Sequence, residues 1–406
     1  MNVIVIGGGA SGMACAISCA RQGARVTIIE KNEKLGKKMF ITGKGRCNVT
    51  NDCEVDEFLS NVVTNTKFLI GCVNRFKPAD TMDYFSSQGL QLKTERGNRV
   101  FPFSDRSSDV IRTLEHDLKR LKVDVKLNEK VVGLIVDDGK CSGVKTDLGC
   151  YYADKVVVAT GGKSYSSTGS TGDGYAFAKS VGHEVVEPMP ALAPIYTKLG
   201  YRDIAGLTLK NVTLKVFYED RLLLNEFGEL LFTHEGVSGP IVLTASSKIS
   251  RLDYDKIKLF IDFKPALDQE QLDKRLIRDF EQSSVKQLKN ALDDLLPKSI
   301  IERVIRASGL NKFKKVCEIS REERQKLVSV LKSFPIDQVK RAPIDVAIIT
   351  SGGVSVKEVD PKTMQSTKCK GLYFVGEVLD VDALTGGFNL QIAFATAVSC
   401  GRNIKE

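Results

Sequence analysis

The amino-acid sequence predicts an α/β fold in which the two ends of the chain build one parallel sheet and the middle forms an insert. Apolar strands alternate with helix-compatible segments up to about residue 190. Strand-like alternation then dominates until Asp268, helical patterns follow, and α/β character returns after Pro343. Continuous apolar strands are what a parallel sheet needs when helices cover both of its faces.

The length and composition are those of an ordinary globular protein with several domains. The chain has 406 residues, of which 42% are hydrophobic and 27% are charged, and this length predicts two or three domains. We predict a discontinuous α/β domain from residues 1–190 and 343–406, a β-rich insert over 191–267 and a helical subdomain over 268–342.

The first thirty residues show a strand–helix–strand pattern around a glycine motif. Val3–Ile6 and Arg25–Ile29 read as strands, and Ser11–Gln22 has helix-compatible composition. Gly7-Gly8-Gly9-Ala10-Ser11-Gly12 matches G-x-G-x-x-G, and Glu30 follows Gly12 by 18 residues. This is near the spacing of about 20 that dinucleotide-binding motifs show, so the segment indicates a dinucleotide site rather than a purely structural glycine turn.

Each part of this motif has a physical role. Gly7 permits the tight turn, Gly9 lets the backbone approach a pyrophosphate, and Gly12 lets the helix pack closely on the sheet. The helix N-terminus offers amide donors and the positive end of the helix dipole to the phosphates. Glu30 is expected to accept both ribose hydroxyls, and its charge disfavours a 2′-phosphate. The motif alone does not decide between FAD and NAD.

Three further segments favour FAD. Lys34–Asn51 is a long, polar, glycine-punctuated stretch, which suits the extended path of a buried flavin. Ala159–Gly162 ends an apolar strand, and its A-T-G-G turn, with Gly161 inside it, is a candidate flavin contact. Gly371–Glu377 is a strand ending in Gly-acid, and a Gly-Gly turn and a helix follow it. Glu377 can accept ribityl hydroxyls, and the helix N-terminus can stabilise the reduced ring.

The remaining segments predict short elements. Residues 36–53 read as a loop and Asp56–Phe76 as helical. Before the insert, strands are predicted at Val123–Leu127, Val131–Asp137, Cys141–Thr146 and Tyr151–Tyr152. Within the insert, strands are predicted at Leu207–Phe217, Arg221–Asn225, Glu229–Phe232 and Lys256–Phe263.

Five stretches carry a resemblance to a known family. They are Thr42–Asn51 (T-G-K-G-R-C-N-V-T-N), Ser164–Tyr175, Leu231–Pro240 (L-F-T-H-E-G-V-S-G-P), Thr350–Val356 and Gly376–Gln391. On these residues the chain resembles, over essentially its whole length, the BaiN-like, aminoacetone oxidase-like FAD-dependent oxidoreductases. The resemblance implies a two-dinucleotide-binding (Rossmann-like) FAD domain with an inserted β-barrel-like domain and a helical subdomain.

The resemblance also implies a set of cofactor-binding residues along the adenosine, pyrophosphate and flavin path. Besides the motif residues Gly7, Gly9 and Gly12, these are Ala10, Ser11, Glu30, Lys31, Lys38, Thr42, Gly43, Asn48, Thr50, Val131, Ala159, Thr160, Gly161, Gly376, Glu377, Asn389, Leu390 and Gln391. Val131 or its neighbour is expected to contact adenine through its backbone. Ser166, Ala383 and Phe388 depart from residues common in the family, which leaves the substrate open.

Two side chains are candidates for acid–base chemistry. Tyr165 is a candidate proton donor beside the ring, and His234, in a Gly/Ser/Pro-rich loop of the insert, is a candidate general acid or base. Packing roles for both residues remain the alternatives. Lys44 and Arg46 either stabilise reduced flavin or hold their loop.

The predicted function is an FAD-binding flavoprotein oxidoreductase that exchanges hydride between flavin N5 and a small organic substrate. NAD(P)H or oxygen is expected in the other half-reaction, although no second G-x-G-x-x-G motif is present. Amine oxidation and reduction of unsaturated carbonyl compounds both fit the resemblance. A flavoprotein acting on RNA through the basic helical insert, or a non-catalytic redox sensor, are the alternatives.

Composition limits the partners. The net charge is +9, and the helical region from Lys264 to Arg341 has 18 Lys/Arg against 12 Asp/Glu with interspersed signs. Because no basic patch interleaved with aromatic residues stands out, no nucleic-acid partner is expected. Three histidines make a multi-histidine metal site improbable, and no apolar run predicts a membrane span. The absence of a leader and the ten cysteines without CxxC spacing favour a cytoplasmic location with free thiols.

Overall fold

The computed structural model describes Met1–Lys405. The chain forms two compact units: unit 1 combines Met1–Ala191 with Ile344–Glu406, and unit 2 is Leu192–Pro343. Each unit has its own hydrophobic core. The core of unit 2 takes side chains from both the strands and the helices of the insert, so the predicted division of the insert at residue 267 stays a prediction.

The helices in chain order are α1 (Ala10–Arg21), α2 (Lys37–Gly45), α3 (Val55–Ser60), α4 (Thr66–Arg75), α5 (Pro78–Ser87), α6 (Ser107–Arg120), α7 (Asp173–Ser180), α8 (Pro240–Lys248), α9 (Gln269–Gln282), α10 (Leu288–Ala291), α11 (Lys298–Ala307), α12 (Arg321–Lys332) and α13 (Phe388–Asn403). Within the described part of the chain, no helix combines the length and the apolar character that a membrane span needs.

The strands in chain order are β1 (Asn2–Ile6), β2 (Arg25–Ile29), β3 (Thr50–Asn51), β4 (Val62–Thr64), β5 (Leu92–Glu95), β6 (Arg99–Pro102), β7 (Asp124–Lys126), β8 (Val131–Asp137), β9 (Lys140–Thr146), β10 (Cys150–Tyr152), β11 (Lys155–Val158), β12 (Val185–Ala191), β13 (Ile195–Thr197), β14 (Thr208–Tyr218), β15 (Arg221–Phe232), β16 (Gly236–Ser238), β17 (Ile257–Asp262), β18 (Phe334–Pro335), β19 (Val339–Arg341), β20 (Ile349–Val354), β21 (Leu372–Phe374) and β22 (Asp382–Ala383).

A five-stranded parallel sheet forms the centre of unit 1. Its order is β21-β11-β1-β2-β7, and every neighbouring pair is parallel. Counted along the chain from β7, this is the order 3-2-1-4-5 of dinucleotide-binding sheets. The predicted parallel sheet, built from both ends of the chain, is therefore confirmed.

Helices α1 and α13 pack closely, and this contact joins the two ends of the chain. Gly401 faces Ser18, and a Cβ on Gly401 would overlap the Ser18 side chain. Both helices are buried along most of their length. The N-terminal and C-terminal segments therefore share one core rather than forming separate lobes.

Unit 2 is built on a seven-stranded sheet in the order β18-β17-β14-β15-β16-β13-β19. All of its neighbouring strands are antiparallel. Helices α9, α11 and α12 bury their apolar faces in the core of the same unit. The insert is thus β-rich first and helical later, whereas closure of the sheet into a barrel stays a prediction.

Three local predictions are wrong. Arg221–Asn225 and Glu229–Phe232, expected as separate strands, form the single strand β15, because residues 226–228 between them also pair with β14. Residues 36–53, expected as a loop, contain α2 and β3, although Thr42, Gly43 and Lys44 interrupt the helix with non-helical backbone angles. The helical stretch Asp56–Phe76 is split into α3 and α4, because Asn65 has a φ of 56° and β4 lies between the two helices. Left-handed single residues of this kind leave little trace in hydrophobic periodicity.

A buried histidine makes the stability of unit 1 depend on pH. His183 Nε2 lies 2.6 Å from Ser366 Oγ, and His183 Nδ1 lies 3.2 Å from Glu358 Oε2. Burial lowers the pKa of His183 below its usual value, although the nearby Glu358 carboxylate opposes the shift. The folded state therefore prefers neutral His183.

We expect this histidine to cost stability as the pH falls below about 6.5, where the unfolded chain binds the proton more readily. The His183 contribution is bounded by about 1.4 kcal/mol per pH unit. Urea unfolding at pH 7.5 and pH 5.5 measures this contribution in wild type and in His183→Gln. His116→Gln, which changes an exposed histidine, is the control. Equal pH dependence in wild type and His183→Gln would contradict this account.

Candidate functional site

The turn between β1 and α1 is built by glycines that approach neighbouring backbone. Gly7 has a φ of 102°, in the left-handed region that favours glycine, and a Cβ there would lie 2.7 Å from the Ala159 carbonyl oxygen. A Cβ on Gly12 would overlap the Gly7 carbonyl oxygen. Gly9 differs, since a Cβ there would meet none of the described atoms within 4 Å. Open space therefore lies beside Gly9.

This space lies at the N-terminus of α1, which begins with Ala10 and Ser11. The N-cap residue is Gly9, so no side chain of its own caps the helix. Gly376 lies against Ser11, and a Cβ there would be 2.5 Å from Ser11 Oγ. Gly376 N donates a 3.0 Å hydrogen bond to Thr396 Oγ1. The fold thus brings the C-terminal segment to a helix end whose amides suit a pyrophosphate.

Glu30 is a buried carboxylate directly after β2. Its Oε2 accepts a 2.6 Å hydrogen bond from Gly8 N, and its Oε1 accepts a 2.8 Å bond from Asn32 N. Oε1 also accepts a 2.6 Å bond from Asn32 Nδ2, so about one of the roughly four acceptor sites of the carboxylate remains for a ribose hydroxyl. The Glu30 carbonyl also accepts a 3.1 Å bond from Glu129 N, two residues before Val131 begins β8. The predicted ribose and adenine residues thus belong to neighbouring segments.

Lys38 and Glu377 form an ion pair within unit 1. Lys38 Nζ lies 2.8 Å from Glu377 Oε2 and donates a 2.8 Å hydrogen bond to Ser164 Oγ. Glu377 Oε1 accepts a 3.0 Å bond from Thr350 N. Ser164 and Thr350 were not among the predicted site residues, although both lie in stretches that carry the family resemblance.

Lys31 connects β2 to the start of α7. Its Nζ lies 2.7 Å from Asp173 Oδ2 and 2.5 Å from Thr171 Oγ1. Asn32 contacts the segment before α7 as well, since its Nδ2 donates a 3.2 Å hydrogen bond to the Thr168 carbonyl. These contacts attach the 168–173 segment to the edge of the predicted ribose site.

The segment from Thr42 to Asn48 contains a sharp turn. Gly43 and Lys44 have φ angles of 58° and 59°, and Thr42 Oγ1 donates a 2.8 Å hydrogen bond to the Met39 carbonyl. Within the described chain, the buried Asn48 Oδ1 has no hydrogen-bond partner. A buried acceptor without a partner is costly, so this amide is suited to receive a donor from a ligand.

Arg46 holds this segment to the neighbouring sheet. Its guanidinium lies 4.1 Å from the Phe101 ring centroid, 2.9 Å from Glu95 Oε1 and 3.3 Å from Asp105 Oδ1. A guanidinium engaged by two carboxylates and a ring is positioned to fix the loop. Between the two roles considered for Arg46, the structure favours the loop-holding role.

Thr50 and Gln391 are joined inside the protein. Gln391 Oε1 accepts hydrogen bonds of 2.8 Å from Thr50 Oγ1 and 2.6 Å from Thr81 Oγ1. Gln391 Nε2 donates a 2.9 Å bond to the Phe76 carbonyl. Both predicted residues are therefore buried and engaged through their side chains, and Gln391 N also donates a 3.1 Å hydrogen bond to the Gly387 carbonyl.

The start of α13 is fixed by Asn389. Its Oδ1 accepts a 3.0 Å hydrogen bond from Ala383 N, and its Nδ2 donates a 2.8 Å bond to the Ala383 carbonyl. Leu390 follows it in the first turn, and Gly387 is the N-cap residue with a φ of 98°. The side chain of Asn389 thus shapes the turn that precedes the helix.

The strand β11 leads into the predicted A-T-G-G turn. Ala159 is buried, and Gly161 has a φ of 72°. The hydroxyl oxygen of Thr160 is buried and, among the described residues, has no hydrogen-bond partner. This turn therefore presents a second buried polar atom that a ligand would satisfy.

The two predicted acid–base residues lie in different units. Tyr165, in unit 1, is half-buried and has a φ of 52°, a conformation uncommon for a bulky side chain. His234, in unit 2, is exposed, and its carbonyl accepts a hydrogen bond of 3.2 Å from Tyr201 N. Their catalytic roles remain predictions.

These observations test whether the site fits FAD. The open space beside Gly9 suits a pyrophosphate, and the Glu30 carboxylate suits a ribose. The unpartnered oxygens of Asn48 and Thr160 suit polar groups of the cofactor. The donor and acceptor set therefore fits the dinucleotide.

Comparison with known proteins agrees with an FAD-binding site. Over its full length the chain is 32% identical to a 3-dehydro-bile acid delta(4,6)-reductase of Clostridium scindens, and both chains are covered completely. It is 30% identical to a ribosomal RNA dihydrouridine synthase of Haemophilus influenzae, covering 99% of this chain and 98% of the relative. A 3-ketosteroid delta1-dehydrogenase structure from Sterolibacterium denitrificans has 13% identity and a TM-score of 0.53, covering 99% and 98%, and shows the shared fold.

The chain is an FAD-dependent flavoprotein oxidoreductase with a Rossmann-type cofactor domain. It belongs to the family described as the HI0933-like protein Rossmann domain, whose model matches residues 1–403. The predicted family, FAD cofactor and enzyme class are confirmed.

Two alanine substitutions separate folding from cofactor binding. Gly12→Ala forces the turn apart, so we expect a loss of about 1–3 kcal/mol in the free energy of unfolding of the flavin-free protein. Gly9 has ordinary backbone angles (φ −81°) and free space. Gly9→Ala should therefore keep that stability and weaken FAD binding about tenfold or more, because the methyl group enters the pyrophosphate space.

Chemical unfolding of the flavin-free proteins and titration with FAD measure both effects. A Gly9→Ala variant that binds FAD like wild type would place the pyrophosphate elsewhere. An unchanged unfolding free energy in Gly12→Ala would refute the packing role of that glycine.

Proposed function

We propose that this chain reduces a carbon–carbon double bond conjugated with a carbonyl group, with NAD(P)H as the electron donor. The observation that carries the proposal is the shared chemistry of two full-length relatives. One is named for a 3-oxo bile acid with double bonds at positions 4 and 6. The other is named for dihydrouridine, in which the uracil double bond next to a carbonyl is reduced.

The residues of the chain position the cofactor for this chemistry. Bound FAD supplies hydride acceptance and donation at N5. The first turn of α1 and the space beside Gly9 would hold its pyrophosphate, and Glu30 would hold a ribose. The first turn of α13, after Gly387, offers backbone amides and the positive end of a 16-residue helix to the ring. The buried Asn48 and Thr160 oxygens would accept polar hydrogens along the same path.

Reduction of a conjugated double bond also requires a proton. Hydride adds to the carbon distant from the carbonyl, and a proton adds to the adjacent carbon. Tyr165 is our candidate donor, because it closely follows the A-T-G-G turn and its side chain is half-buried. His234 is the second candidate.

Tyr165→Phe tests this role. Loss of a general acid typically lowers the rate by a factor of about 10²–10⁴. We therefore expect slow substrate reduction by the pre-reduced variant, while anaerobic bleaching of its flavin by NADPH or NADH stays normal. The same measurements on His234→Gln test the other candidate. A change of less than twofold in the rate of substrate reduction by Tyr165→Phe would contradict the acid role and leave Tyr165 a packing role.

A second candidate substrate is uridine in RNA. Two relatives named ribosomal RNA dihydrouridine synthase, at 30% and 29% identity, each cover 99% of this chain. Their named product fits the same reaction class, so the two candidate substrates differ only in the molecule that contains the double bond. The two candidates therefore share one flavin site and one proton requirement.

One anaerobic experiment compares the candidates. Protein reduced by NADPH or NADH is mixed with an unsaturated 3-oxo steroid acid or with unmodified ribosomal RNA, and the return of the oxidised flavin spectrum is followed. Reoxidation by either compound, with formation of the saturated product, supports the proposed reaction. Failure of both nucleotides to bleach the flavin, together with bleaching by an amine, would identify an oxidase and refute the proposal.

A further inference from the structure

The helical part of unit 2 carries a basic surface that the linear sequence does not reveal. Residues 286–289 and 312–316 run alongside each other, with an antiparallel bridge between Gln287 and Lys315. Leu288 N donates a 2.9 Å hydrogen bond to the Lys314 carbonyl, and Val316 N a 3.0 Å bond to the carbonyl of residue 286. This backbone pairing fixes two lysine-rich segments side by side.

An exposed aromatic ring lies close to two lysines of these segments. Phe313 is 55% exposed, and its ring centroid lies 4.9 Å from Lys289 Nζ and 5.2 Å from Lys312 Nζ. Val285, which directly precedes the first segment, is 79% exposed. We call residues Val285, Lys286, Lys289, Lys312, Phe313 and Lys315 the lysine–Phe313 surface.

The charge of this surface is only partly neutralised. Lys312 pairs with Glu302 at 3.0 Å and the neighbouring Lys314 with Glu323 at 2.7 Å. In the described part of the chain, Lys286, Lys289 and Lys315 form no ion pair. This differs from much of the helical region, where cations such as Arg324 pair with carboxylates.

We propose that the lysine–Phe313 surface binds single-stranded RNA. Phe313 would stack on a base, and the three lysines without ion pairs would contact the flanking phosphates. Stacking on an aromatic ring combined with backbone contacts by lysine is the usual mode of single-strand binding. Because Lys289 and Lys312 lie over the ring, a stacking base would displace an ammonium group, which could then reach a flanking phosphate. The inference rests on the RNA arm of the proposed function and names the surface that recognises that substrate.

The experiment measures the binding of a fluorescein-labelled oligouridylate of about 12 nucleotides by fluorescence anisotropy across a salt series. The test variants of the flavin-loaded protein are Phe313→Ala and the triple change of Lys286, Lys289 and Lys315 to Gln. The matched controls are Leu199→Ala, which removes another exposed apolar side chain of unit 2, and a triple Gln change at exposed Lys298, Lys326 and Lys340.

We expect the triple surface variant to bind at least tenfold more weakly. The slope of log affinity against log salt should also fall by about 2, because each phosphate contact on a single strand contributes about 0.7. Phe313→Ala should bind about fivefold or more weakly with an unchanged slope. Equal losses in the control triple, no RNA binding at low salt, or equal binding of poly-glutamate would overturn the inference.

The flavin reaction separates this inference from the proposed function. All variants should keep their flavin and its bleaching by NAD(P)H. A protein that reduces the steroid acid but does not bind the oligonucleotide overturns this surface and leaves the proposed reaction intact. Binding that depends on the surface, in a protein that reduces neither substrate, supports the surface and overturns the reaction.

Discussion

The close approach of backbone at the β1–α1 turn is the constraint on which the cofactor domain depends. The Gly12 Cα packs against the Gly7 carbonyl, and Gly7 packs against the end of β11. Neither position has room for a side chain, and this tight turn leads from β1, the central strand of the sheet, directly into α1. Its first turn, which no side chain caps, adjoins the space that Gly9 leaves free.

Contacts near the same turn hold the N-terminal and C-terminal parts of the discontinuous domain together. The C-terminal segment meets α1 at Gly376, and Glu377 reaches Lys38 on α2 and the backbone of β20. One ion pair and one hydrogen bond therefore connect three segments that are far apart in the sequence. Its burial is only partial, so its value lies in fixing these segments relative to one another more than in net stability.

Much of this arrangement was predictable from the sequence. The glycine spacing and Glu30 predict the turn, because a G-x-G-x-x-G motif between two apolar strands has few structural solutions. The partners of Gln391 were not predictable, since its bonds to Thr50 and Thr81 depend on tertiary packing. The interruption of α2 depends on left-handed residues that periodicity does not report.

The basic surface shows a different limit. Lys289 and Lys312 are separated along the chain, and only the pairing of their segments places both beside Phe313. A count of charges along the sequence finds interspersed signs and therefore a solvated face. The structure shows which cations are paired with carboxylates and which are not.

The most direct test of the central claim compares FAD with FMN. FMN lacks the adenosine half, which the α1 turn and Glu30 are expected to hold. Titration of flavin-free protein should give an affinity for FAD at least about a hundredfold higher than for FMN, equivalent to about 2.7 kcal/mol. Equal affinities, or no binding of either flavin, would contradict the assignment of the glycine turn as the cofactor's anchor.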